Sequence, residues 1–192
     1  MADFQTALTY TMTNEGGGKY TENPADNGGP TKYGVTLKTL SAYRGKPCTA
    51  ADVKALTQQE ASAIYQKLYW RVMRCDDIEQ LAIAVAVFDG SVLFGPPRAA
   101  KALQAAINLV LDAKTKPLQV DGRVGPATIA ALNAQPCGPV LQAYVTELEE
   151  AVTDIVQADA KQIVFLAGWL RRIGAYLVLR FTYVRATTQA AG

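Results

Sequence analysis

Apolar side chains recur at helical spacing at the start of the chain. Phe4, Ala7, Leu8 and Met12 fall on one face, which predicts an amphipathic helix over residues 3–14. The period stops at Glu15-Gly16-Gly17-Gly18, where three glycines disfavour further helix. Residues 16–36 show no period and are dense in Gly, Pro, Asn and Asp. They predict a loop with room for a small hairpin. A loop of about 20 residues exceeds an ordinary connector, which points to function.

Helical signals return at residue 49. Thr49 with Asp52 and Thr57 with Glu60 both resemble capping boxes, the second more fully because Glu60 can reach back to the cap amide. Ala61, Ile64, Tyr65 and Leu68 then share a helix face. Residues 77–94 predict a helix almost uncharged after Glu79, placed at the centre of the core. Pro96-Pro97 open another helix carrying Ala99 to Val110. A Gly/Pro turn before Ala127 leads into a short helix ending near Leu132. Cys137-Gly138-Pro139 reads as a further break, followed by helices over residues 139–157 and 160–182. The small, polar tail from Ala186 is expected to fray. No alternating run is long enough for a useful strand. The fold class is therefore mainly α: a helical part over 1–110 with a Gly-rich loop, and a C-terminal helical extension over 111–192 packed on it as one unit.

Composition narrows the chemistry. The chain has 192 residues, 49% hydrophobic and 19% charged, as expected for a folded domain with at most a small appendage. It contains no histidine. That excludes Ser-His-Asp and Cys-His hydrolysis and every His-ligated metal site; an acid or base must be carboxylate, tyrosine, lysine or cysteine. Cys48, Cys75 and Cys137 match no metal or redox spacing and read as reduced thiols. A net charge of +2 gives little reason to expect a nucleic-acid partner. From Lys161 onward there are five basic residues and no acidic one. The plain reading is a solvated helix face; the sharper one is a patch for an anionic surface such as a wall or membrane.

Glu15 stands where a helix gives way to a glycine-rich loop, and Asp26 and Thr31 follow on that loop. A carboxylate at a helix end is rigidly held, and a second one can face it across a cleft, the arrangement that glycoside hydrolysis needs. The acid must hold its proton near neutral pH, which calls for a partly dehydrated pocket. A glutamate at a helix C-terminus is electrostatically disfavoured, so its position suggests a role beyond stability.

The strings Asn14-Glu15-Gly16-Gly17 and Asn23-Pro24-Ala25-Asp26-Asn27-Gly28-Gly29-Pro30-Thr31-Lys32-Tyr33-Gly34-Val35-Thr36 resemble glycoside hydrolase family 108, lysozyme-like N-acetylmuramidases of phage endolysins and bacterial lysis or secretion systems. The resemblance continues from Ala61 to Trp70, at Val87-Phe88-Asp89 and at Gly95-Pro96. Val120-Asp121-Gly122 with Gly125-Pro126-Ala127-Thr128 is similar to the peptidoglycan-binding helical element that follows. A weaker echo lies at Phe165–Arg172.

The resemblance implies a lysozyme-like fold and cleavage of the β-1,4 bond between N-acetylmuramic acid and N-acetylglucosamine in bacterial peptidoglycan. Glu15 would be the catalytic acid, with Asp26 and Thr31 in support. Tyr20, Tyr33, Gly34 and Trp70 would contact substrate. No metal or cofactor is implied. The N-terminus shows no signal peptide, and no stretch has the 18 or more consecutive apolar residues of a membrane span. Cytoplasmic synthesis without stable membrane insertion is therefore expected, with a holin or secretion system giving access to the wall.

Two departures matter: Gly18 stands where the family has Tyr, and Leu93-Phe94 where it has Asn-Ser. Other readings stay open. Glu22 competes with Asp26, Asp89 reads as a buried structural carboxylate, Tyr69 and Trp70 as core, and Asp121 with Arg123 as turn organisers. A catalytically impaired wall-binding protein and a lytic transglycosylase are the alternative functions.

Overall fold

The computed structural model describes residues 2–15, 18–22 and 29–189, with side chains to Tyr183. Helix α1, Phe4–Asn14, is capped by Asp3, whose carboxylate accepts from the Gln5 and Thr6 amides. Ala7, Leu8 and Thr11 face inward. The loop then forms the expected hairpin from β1, Thr31–Lys32, and β2, Val35–Thr36, paired antiparallel with Thr31 opposite Thr36. The turn residues Tyr33 and Gly34 both have positive φ, 53° and 70°, as a tight two-residue hairpin requires. Thr21 bridges the other edge of Thr31.

Helices α2, Leu37–Arg44, α3, Ala50–Ala55, and α4, Gln58–Tyr65, follow. The complete capping box is at Thr49–Asp52, reversing the expected order. Thr57 does accept from the Glu60 amide, but the Glu60 carboxylate is held by Arg44 at 2.9 and 3.0 Å. A two-point contact with a guanidinium outcompetes a single bond to a neutral amide. A π turn, Gln66–Trp70, extends α4, and a 3-10 turn spans Cys75–Asp77.

The apolar helix α5, Leu81–Phe94, starts later than its composition suggested. Arg74 adopts a left-handed conformation, and Asn133 bonds the Asp77 carbonyl and the Glu79 amide, fixing a non-helical approach. Helix α6, Pro96–Val110, opens on proline as expected, and α7, Pro126–Asn133, takes in Pro126 from the predicted turn. Helix α8, Cys137–Ala158, contains the predicted break within its first turn, where a proline lacking N–H forfeits no helical bond. The last predicted helix divides at Ala175 into α9, Ile163–Gly174, and α10, Tyr176–Gln189. It runs past the point where fraying was expected.

Helix α5 is central and packs against α1, α6, α8 and α10. Being surrounded, it is apolar on every side. The buried side chains form one continuous cluster from Ala7 to Leu179, crossing the 110/111 boundary. This mainly α fold puts the end of α1 beside the hairpin on one side and α9 on the other.

Candidate active site

Glu15 caps the C-terminus of α1, its amide bonded to the Thr11 carbonyl at 3.0 Å. Its side chain is 21% exposed. Oε1 accepts from Arg172 Nη1 at 2.7 Å. The other two guanidinium nitrogens, Nε and Nη2, fork onto Asp89 Oδ2 and Oδ1, both at 2.8 Å. Asp89 is fully buried. It also accepts from the Thr11 hydroxyl at 2.8 Å and the Tyr176 hydroxyl at 2.7 Å. Two bonds on each oxygen offset the cost of burying this charge. Burial works against the charge on Arg172, but Asp89 and then Glu15 outweigh it and push its pKa up. The expected structural role of Asp89 is thus observed, together with a link to Glu15 that the sequence did not disclose.

The other oxygen of Glu15 faces the hairpin turn. A Cβ on residue 34 would stand 2.8 Å from Glu15 Oε2 and collide with the Tyr65 hydroxyl. Gly34 is therefore required by space as well as by its φ. The Tyr65 hydroxyl donates to the Tyr33 carbonyl at 2.9 Å, locking the turn. Burial, then the nearby Glu15 charge, raise the Tyr65 pKa.

The Tyr33 ring lies over Gly18, where an added Cβ would meet it at 2.5 Å. Gly18 thus makes room for this ring. Tyr33 and Gly18 line a concavity of about 530 Å³ with Met12, Thr13, Gln58 and Ser62. Glu15 is absent from that lining, but Thr13 and Gly18 flank it in sequence.

The remaining expected site residues separate. The Thr31 hydroxyl donates to the Gly29 carbonyl at 3.4 Å, and among the described residues its bonds do not reach Glu15. The Tyr20 hydroxyl donates to Glu22 at 2.6 Å near the surface, and that bond raises its pKa. Asp26 lies outside the described residues. Trp70 departs from the expected sugar contact: it is fully buried. Its Nε1 donates to Asp76 at 2.7 Å, and Phe4 and Phe88 meet its ring edge-to-face. The π turn directs this ring into the core.

Phe94, the second residue of the Leu93-Phe94 departure, packs edge-to-face on Trp169 of α9. Asp121 accepts from Gln104 and the Arg123 amide, organising a turn as expected. No group of three acidic or cysteine side chains among the described residues is placed to hold a metal ion.

Residues 8–95 match the family Glycosyl hydrolase 108, and residues 98–174 the family described as Predicted Peptidoglycan domain. The fold is similar to the solved structure of Brucella abortus SagA. The two are 28% identical, with a TM-score of 0.78 over 95% of each chain. No curated protein matches the sequence. Arg172 falls inside the second match while Glu15 and Asp89 fall inside the first, so the network joins the two segments. Two successive segments of the chain thus match the glycosyl hydrolase 108 family and a peptidoglycan domain, the make-up of a peptidoglycan hydrolase.

Proposed function

We propose that the chain is an N-acetylmuramidase that hydrolyses the β-1,4 bond between N-acetylmuramic acid and N-acetylglucosamine, with Glu15 as general acid. The observation that carries this reading is the asymmetry of the Glu15 carboxylate. One oxygen is fixed by Arg172, and the other points at a hairpin turn that only glycine can occupy.

In this mechanism Glu15 Oε2 gives its proton to the leaving O4 of N-acetylglucosamine as the C1–O4 bond breaks. The carboxylate charge that develops faces Arg172. Water adds to C1 of the muramic acid, and its proton passes to a base; Asp26, with Thr31, is assigned that role. Tyr20 and Tyr33 are assigned to the glycan. A holin or secretion system would bring the protein to the wall.

The test is digestion of purified peptidoglycan by the wild type and by Glu15→Gln, with borohydride reduction and mass spectrometry of the fragments. Muramitol ends are expected from the wild type only, with the variant folded. Equal release by the variant would remove Glu15 from the mechanism. Anhydromuramic ends would indicate a lytic transglycosylase, and wall binding without fragments a binding protein.

A further inference from the structure

Among the described residues, α9 and the first half of α10 leave large apolar side chains exposed. Ile163, Val164, Phe165, Leu170, Val178 and Phe181 are exposed there, Val164 to 75%. They make up six of the nine large apolar side chains that are exposed among the described residues. Lys161, Arg171 and Arg180 are exposed along the same stretch. The chain from Lys161 to Gly192 contains no acidic residue. Residues 160–183 are long and apolar enough to cross a membrane by length and composition.

We infer that this face docks on the surface of an anionic lipid bilayer. Exposed apolar side chains interspersed with Lys161, Arg171 and Arg180, with no acidic residue from Lys161 onward, complement an interface with negative headgroups and adjacent hydrocarbon. A hydrated glycan offers no apolar medium for Val164 or Phe165, so the wall polymer satisfies the charge but not the apolar surface. Transmembrane insertion does not fit either. Arg172 and Tyr176, on the opposite side of the same helices, are bonded to Asp89. Inserting them would strip a buried carboxylate of its partners and carry arginines into hydrocarbon. The helices therefore lie on the bilayer while their inner face stays packed. Docking does not depend on Glu15 chemistry.

The experiment is flotation of the full chain with phosphatidylglycerol/phosphatidylcholine vesicles and with phosphatidylcholine vesicles alone. Binding to the anionic vesicles only is expected, weakening at least tenfold between about 0.1 M and about 1 M salt. Arg171→Glu should weaken it about 25-fold, about fivefold for each unit of charge. Ile163→Ser/Val164→Ser should abolish it, with circular dichroism and the urea midpoint unchanged.

Equal binding to both vesicle types, or none to the anionic ones, overturns the inference. Retention through an alkaline carbonate wash would instead indicate a span. A dimer that the same serine variant dissociates, without vesicle binding, would give the face to a second copy. Adsorption to isolated wall but not to vesicles would give it to the wall polymer.

Discussion

Arg172 lies 157 positions after Glu15 and donates to its Oε1 at 2.7 Å. The rest of the same guanidinium is spent on Asp89. One cation therefore serves a fully buried carboxylate and a partly exposed one. Only a planar, five-donor fork can do this; an ammonium group has the charge but not the geometry.

Replacing Arg172 separates the two duties. Arg172→Ala leaves Asp89 buried without its counter-charge and should lower stability by about 3–5 kcal/mol. Arg172→Lys should lose less stability yet release wall fragments at least tenfold more slowly, because Glu15 is no longer held. Urea denaturation and fragment release measure both. Unchanged stability in the alanine variant would show that the pair contributes nothing to the fold.

Gly34 and Gly45 have similar positive φ, 70° and 67°. An added Cβ at Gly45 meets nothing within 4 Å, whereas at Gly34 it strikes Tyr65 and Glu15. Gly45→Ala should therefore cost only the backbone strain, about 1–2 kcal/mol, and keep full activity. Gly34→Ala should carry the same strain and also lose fragment release. Equal activity in the two variants would detach the hairpin turn from the site.

Tyr144 and Tyr176 stack with centroids 6.4 Å apart, yet their hydroxyls differ. Tyr176 donates to Asp89, whereas the buried Tyr144 hydroxyl has no partner among the described residues. Tyr176→Phe should cost about 1.5–3 kcal/mol, the range for a bond to a charged group. Tyr144→Phe should be neutral or slightly stabilising. Equal losses in denaturation midpoints would contradict the difference.

Alkaline pH should destabilise the protein. Burial pushes up the Cys75 thiol and the Tyr65, Tyr144 and Tyr176 phenols. In the unfolded chain these groups ionise near their ordinary values of 9.0 and 10.0; in the folded chain they stay neutral longer. Above those values the unfolded state binds fewer protons, so stability falls as pH rises. Each group contributes a slope of up to about 1.4 kcal/mol per pH unit. Urea midpoints should hold between about pH 7 and 8.5 and fall from about pH 9, more steeply beyond 10. A flat profile to pH 11 would refute this.

Much of this arrangement was legible in the sequence. The period of Phe4, Ala7, Leu8 and Met12 ends at the residue that becomes the α1 cap. The turn chemistry around Tyr33-Gly34 produced a hairpin, and the all-round apolar pattern of 81–94 produced the central helix. Local pattern failed where a distant group decided the outcome. Glu60 turned to Arg44 instead of its own cap. The late start of α5 depends on Asn133. Trp70 faces inward through a π turn that spacing does not disclose. Arg172 sits in a stretch whose charge suggested a solvated face, and its inward direction follows from helix phase. Asp89 in an apolar helix reads as a buried structural carboxylate, but only folding shows that Arg172 pairs with it.

The ribosome makes the two ends of the Glu15–Arg172 bond at opposite ends of synthesis. Glu15 emerges with the first helix, and its arginine is added after 156 further residues have been joined. Until α9 has been translated and packed, the acid has no cation on Oε1 and Asp89 has no guanidinium. The geometry proposed for bond cleavage is consequently completed only once α9 has been made, and nascent chains that stop before α9 lack it.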